Sequence, residues 1–221
     1  MRHILWLSAV AACTPKGAHP HDMSEAAHEA QAEQHDASAA AAESQYNPSL
    51  TTTQTRCHPT KGGRQCWTST SNPTDEWLRL AEQERKAAEA HRAASTALVA
   101  AENEACAGLD PEERDISPFE HTADIVSVTP HGGPVPDGAT VVFALVPDLS
   151  REWLQQAVDC HLARAAALGH EMPEMPNCPL VPKGAKARVD ETAAGLAVTV
   201  TSDDPPTAAD IVARAQRLVA P

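Results

Sequence analysis

Large apolar side chains are scarce in this chain of 221 residues. Leu, Ile, Val and Phe together number 36, whereas Ala alone numbers 42, so an apolar content of 42% overstates what can be buried. A strongly charged chain with less than roughly 20% of those four residues is expected to leave part of itself unfolded. The net charge here is −13. The scarcity is also uneven, because Leu50 is the sole such residue between Thr14 and Asp75 while Phe119 to Ala220 holds 25. One globule spanning the whole chain is therefore excluded, and about 100 C-terminal residues remain able to build a core. Clustered Lys and Arg are lacking in an acidic chain, which argues against nucleic acid, since phosphate binding needs a basic face. Also lacking are the GxSxG, Walker A and GxGxxG patterns. His131-Gly132-Gly133 would suggest an oxyanion loop only beside a nucleophile elbow. Cys160 and His161 are adjacent on a predicted helix and point apart, so they do not make a thiol and base pair. No catalytic residue is assigned, and the chain is not expected to be an enzyme.

What is present begins with an address. After Met1-Arg2-His3 comes a nine-residue apolar run, Ile4 to Ala12, and then Cys13. The run is too short for a span of about 20 residues. Val10-Ala11-Ala12-Cys13 resembles the lipobox of bacterial lipoproteins. That resemblance implies that 1–12 is a removable signal peptide, that Cys13 is lipidated, palmitate included, and that the mature chain starts there on the membrane. Thr14, where an Asp would retain the protein at the inner membrane by the habit of enteric lipoproteins, implies the outer membrane, facing the periplasm. Disulfides persist in such a compartment.

Residues 13–49 are mostly Ala, Glu, Gln and His and are expected to form a disordered tether. Of His19, His21, His28 and His35, only His19-Pro20-His21 is compact enough for a weak metal-collecting role. Residues 50–71 read as a hairpin turning at Lys61-Gly62-Gly63. Cys57 and Cys66 flank the turn and are expected to staple it by a local disulfide. Residues 72–118 open with Asn72-Pro73 as N-cap and first position, continue as a helix of about 34 residues to Gly108, and end in a connector. Asp110-Pro111-Glu112-Glu113 restarts a short turn in that connector. Leu80, Ala87, Ala94, Leu98, Ala101 and Ala105 form an Ala-rich seam on the long helix, with His91 between them. Such a seam buries little, so the helix is expected to lean on another helix or on an envelope partner.

The fold class expected is α+β. Residues 119–221 should form a two-layer ββαββα sandwich, with a mainly antiparallel four-stranded sheet and both helices on one face. Strands are expected at Asp124–Thr129, Thr140–Val146, Ala187–Asp190 and Leu196–Thr201. Ser150 and Asp204-Pro205-Pro206 open the two helices. On the first helix Leu154, Val158, Leu162, Ala165 and Leu168 face the sheet, and Trp153, Ala157, Cys160 and Ala167 form an opposite stripe.

Beyond Gly169, Pro173, Pro176, Pro179 and Pro182 recur every three residues. This period favours a polyproline II strap with Met172, Met175 and Cys178 on one face. Two readings compete there. In the structural one the methionines are apolar pegs, Cys178 is tied to Cys160 or to Cys106 by a disulfide, and no cofactor is needed. In the alternative, Cys106, Cys160, His161, His170, Met172, Met175 and Cys178 supply soft donors for Cu(I). Strap residues three apart stand about 9 Å from one another, which opposes a simple copper site. With Cys57 and Cys66 paired, the other three cysteines form an odd set in which one thiol stays free, pairs between chains or binds something.

The runs CHLAR and CPLVPKG, with ACAGLDPEERDISPF upstream, resemble a family of bacterial envelope lipoproteins over about residues 104 to 219. The resemblance implies a shared domain and no particular activity. Together these features point to a lipid-anchored envelope protein acting as a non-catalytic binding or scaffold module.

Overall fold

A computed structural model describes residues 17–147 and 149–219. Cys13 and the signal segment 1–12 lie outside them. The described chain is α+β, in the order α1 (Glu25–Glu43), β1 (Thr52–Thr60), β2 (Gly63–Ser71), α2 (Asp75–Ala105), α3 (Pro111–Asp115), β3 (Ile125–Gly132), β4 (Pro136–Phe143), α4 (Arg151–Ala167), β5 (Lys186–Thr192), β6 (Gly195–Thr201) and α5 (Pro205–Arg217). Glu29–Ala93 belong to one compact unit, and His19–His28 with the chain from Ala94 onward form another. No helix of the described residues is long and apolar enough to cross a membrane.

The expectation of a disordered tether does not hold for Glu25–Glu43, which are helical. Ala is the strongest helix former, and the burial of His28, Ala32, Ala39 and Ala42 follows heptad spacing, so small residues line one side of α1. In the first unit α1 runs antiparallel to α2. Ala39 and Ala42 pack on Ala81 and Trp77, while Glu43 pairs with Arg85 and Asp36 with Arg92. The His35 and His91 rings stack with centroids 5.4 Å apart, and His35 Nδ1 lies 2.7 Å from Glu84 Oε2. The seam on α2 thus finds its helix within the chain. Ala87, Ala94 and Leu98 of the expected stripe are buried, and the seam widens to Ala81, Ala88, His91 and Ser95, while Leu80 and Ala101 are exposed.

β1 and β2 form the expected hairpin, with Cys57 opposite Cys66 and a disulfide between them. Thr53 with Thr70 and Thr55 with Thr68 make hydroxyl pairs across the strands.

In the second unit the four strands are antiparallel in the order β3-β4-β6-β5. Ala139, Val141 and Phe143 of β4 and Leu196, Val198 and Val200 of β6 share a face and meet Leu154, Val158 and Ala165 of α4 and Ile211 and Ala215 of α5. Both helices therefore cover one side of the sheet. Local chemistry places their starts, since Ser150 Oγ accepts from Trp153 N–H at 3.1 Å and Asp204 Oδ2 accepts from Thr207 N–H at 3.0 Å. Leu168, expected to face the sheet, caps α4 instead and is exposed. The sheet edges are blunted. Gln155 Oε1 of α4 accepts the outward Val189 N–H of β5 at 2.7 Å, and β3 carries Pro130 and two register shifts.

Close approach of β4 to β6 demands a glycine at position 138, where an added Cβ would stand 1.9 Å from Val200 O. Gly138→Ala must spread the central strands, and a loss of about 2 kcal/mol or more is expected. Thermal unfolding followed by circular dichroism checks this, and an unchanged midpoint would show that the strands yield freely.

Candidate functional site

Helix α4 is buried on two sides. Its sheet-facing residues sit in the main core, while Ala157 and Cys160 pack against Cys106 and Leu109, with Trp153 beside them. Leu98 of α2 meets Ala166 and Ala167 near the end of α4. Cys106 and Cys160, 1% and 0% exposed, are joined by a disulfide. This corrects the expected tie of Cys178 to Cys160 or to Cys106, since Cys178 is a free, buried thiol. The physical reason lies in helix phase. Cys160 points away from the sheet toward the end of α2, whereas Cys178 lies in the core on the other side of α4.

The strap also differs from expectation. Met175 N–H donates to Met172 O, Cys178 N–H to Met175 O and Val181 N–H to Cys178 O, at 3.0, 3.2 and 3.4 Å. Each of these four-residue segments has Pro in second place (Met-Pro-Glu-Met, Met-Pro-Asn-Cys, Cys-Pro-Leu-Val), where its fixed φ favours a β-turn. The strap is a chain of linked turns rather than an extended polyproline II segment. Its period of three still puts Met172, Met175 and Cys178 on one face, and all three are buried in the main core. Gly184, at φ 82°, lets a final turn close from Ala185 N–H to Pro182 O.

Ser117 Oγ donates to Cys178 Sγ at 3.3 Å, and burial pushes the Cys178 thiol above its ordinary range despite that contact. A cavity of about 70 Å³ adjoins it, lined in part by Ser117, Phe119 and Met175. His161 is buried in α4, and its Nε2 donates to Ile116 O at 2.7 Å. His170, held at φ 63°, donates from Nδ1 to Val181 O at 2.8 Å. Desolvation is the main cause that lowers both imidazole pKa values, which favours the neutral rings.

The seven soft donors are therefore divided. Cys106 and Cys160 share a disulfide on the outer side of α4, the methionines and Cys178 lie in the core, and both histidines are tied to backbone carbonyls. Among the described residues no three His, Cys, Asp or Glu side chains stand close enough to hold a metal ion.

What sequence reasoning missed is a cleft of about 780 Å³ whose walls include Leu98, Ala101, Leu162 and Ala163. Its rim includes His21, His170, Lys183 and Lys186 together with Glu104 and Asp159. His21 belongs to the stretch read as tether. The segment is held here partly because Gly169, at φ 69°, passes so close to Ser24 that an added Cβ would lie 2.9 Å from Ser24 Cβ. The small, apolar walls suit a ligand or partner bound by shape, with both signs of charge at the mouth. Comparison of the chain with family models, curated proteins and solved structures returns no match.

Two outcomes are expected from this geometry. Cys178 should resist a water-soluble thiol reagent in the native protein at pH 8 and react fully in denaturant, because a buried neutral thiol is a poor nucleophile. Rapid native labelling would contradict its burial. Second, a histidine held below its unfolded value of about 6.5 lets the unfolded state bind more protons. The stability contributed by His161 is complete above that value and is lost as pH falls through the lower folded pKa. The melting temperature should therefore drop between pH 7.5 and 5, and His161→Gln should lower it at pH 7.5 while flattening that dependence. An equal slope in the variant would remove His161 as the titrating group.

Proposed function

We propose that this chain is an envelope lipoprotein, lipidated at Cys13 after loss of residues 1–12, whose folded part is a non-catalytic binding or scaffold module facing the periplasm from the outer membrane. The observation that carries the reading is the use of cysteine. Four cysteines are paired in two disulfides, one of them fully buried, which suits an oxidising compartment. Val10-Ala11-Ala12-Cys13 supplies the anchor. The binding part of the reading rests on the 780 Å³ cleft, since the side of α2 around Ala81 is occupied by α1 and an envelope partner would have to engage another surface.

The test is the unreduced intact mass of the protein taken from the envelope. Loss of residues 1–12, acyl chains on Cys13 and two disulfides are expected, and Cys13→Ser should abolish palmitate incorporation and membrane retention. A mature mass without acyl chains, or one that retains residues before Cys13, overturns the anchor.

A further inference from the structure

The β1-β2 hairpin is set apart by its charge, and the expectation of a chain without clustered Lys and Arg does not hold there. Between Glu43 and Asp75 there is no acidic residue, yet Arg56, Lys61 and Arg64 fall within nine positions of a chain whose total charge is −13. Both strands are exposed throughout, apart from a half-buried Cys57. Trp67 keeps 47% of its surface exposed. It stacks on His58 with centroids 5.1 Å apart and planes 13° from parallel, directly opposite Arg56.

We propose that this hairpin docks on an anionic membrane surface through the face that carries Arg56 and Trp67, with Trp67 at the headgroup level, Arg56 and Lys61 on lipid phosphates and Arg64 adding to the local positive potential. The local excess of cations, with no acidic residue in the hairpin, argues for an anionic surface. Arg56 lies on one face of the ribbon with Trp67, Arg64 on the other opposite Pro59, and Lys61 at the turn. Arg56 and Trp67, opposite each other, stand about 13 Å behind the turn at about 3.3 Å per residue, so the ribbon lies on its Trp67 face, with Lys61 reaching the same surface from the turn and Arg64 within a Debye length of it. A stable protein interface also needs an apolar centre, and Trp67 is the single large apolar side chain in the two strands. Tryptophan beside basic residues is what a membrane interface accepts. The Cys57–Cys66 disulfide fixes the register that places Arg56 across from Trp67. This attachment goes beyond the lipid anchor and does not require it, although a weak basic patch and a lipid together hold a membrane better than either alone.

The experiment uses the full chain carrying Cys13→Ser, so that no acyl chain contributes, with its disulfides formed. Co-sedimentation with vesicles containing about one-third phosphatidylglycerol is compared with pure phosphatidylcholine vesicles, so that any charge-independent background cancels. The chain should prefer the anionic vesicles, and raising the salt should weaken that preference. Each basic residue near such a surface contributes about five-fold in partitioning, so Arg56→Gln/Lys61→Gln/Arg64→Gln together should cost at least ten-fold with the circular dichroism spectrum unchanged. Trp67→Ala should weaken binding to both vesicle types. No preference for phosphatidylglycerol in the parent, or equal binding by the triple variant, overturns the proposal. It is also overturned if a single-stranded oligonucleotide displaces the protein from vesicles and the triple variant loses only the oligonucleotide. Failure here leaves the lipid on Cys13, measured by mass, untouched.

Discussion

The disulfide between Cys106 and Cys160 is the constraint on which the packing around α4 depends. The outer side of that helix is built from Trp153, Ala157, Ala166 and Ala167 and meets little more than Leu98 and Leu109. Methyl groups contribute only about 0.8 kcal/mol each when buried, so such a contact is weak by itself. The cross-link closes a sequence separation of 54 residues, and by the chain-entropy argument it destabilises the unfolded state by about 4 kcal/mol. Arg164 adds ion pairs to Glu102 at 3.3 Å and Asp115 at 2.7 Å, but these are partly exposed and worth little alone. Once α4 is fixed from outside, Leu154 and Val158 meet the sheet in one register. Gln155 then reaches the edge of β5.

The strap shows how one periodicity can serve two structures. A proline at every third position fits polyproline II, with three residues per turn, and it equally fits four-residue turns that share their end residues with proline in second place. Burial decides between them. An extended strap leaves its backbone groups for water, whereas Met172, Met175, Cys178 and Val181 are buried and their neighbourhood cannot supply that water. Linking each N–H to the carbonyl three residues back satisfies the backbone while the buried side chains enter the core.

The sheet and its helices were legible because their signals are local. Ser150 and Asp204 cap helices, and the residues of β4 and β6 are apolar. The cysteines around the strap were less legible, since Cys160 could choose between Cys106 and Cys178 only through the direction in which α4 is turned. That direction is a property of the assembled core. Helix α1 was missed for another reason. Counting Leu, Ile, Val and Phe discards a helix whose buried positions are Ala32, Ala39 and Ala42, although the same small residues on α2 were read as a seam. A seam of alanines implies a second helix with small residues, and such a segment was available upstream. The cleft was beyond reach because Leu98, Leu162 and Lys183 come from three separate stretches of chain.

The division of polar groups between interior and surface bears on where this protein meets other molecules. Ser117 bonds Cys178, His161 bonds Ile116 O and His170 bonds Val181 O, and among the described residues no buried side-chain nitrogen or oxygen lacks a partner. Groups satisfied in this way hold the strap and connector in place, and engaging them with a ligand would first require breaking those bonds. Each such exchange exposes the full desolvation cost of the abandoned carbonyl or ring. Side chains that carry charge or aromatic surface without that cost include those at the mouth of the cleft and on the hairpin. Lys183 and Lys186 flank apolar walls already formed, while Arg56, Lys61 and Arg64 ride on a ribbon whose shape is kept by its own disulfide. Neither surface requires a buried hydrogen bond to be broken before a ligand or a membrane is met.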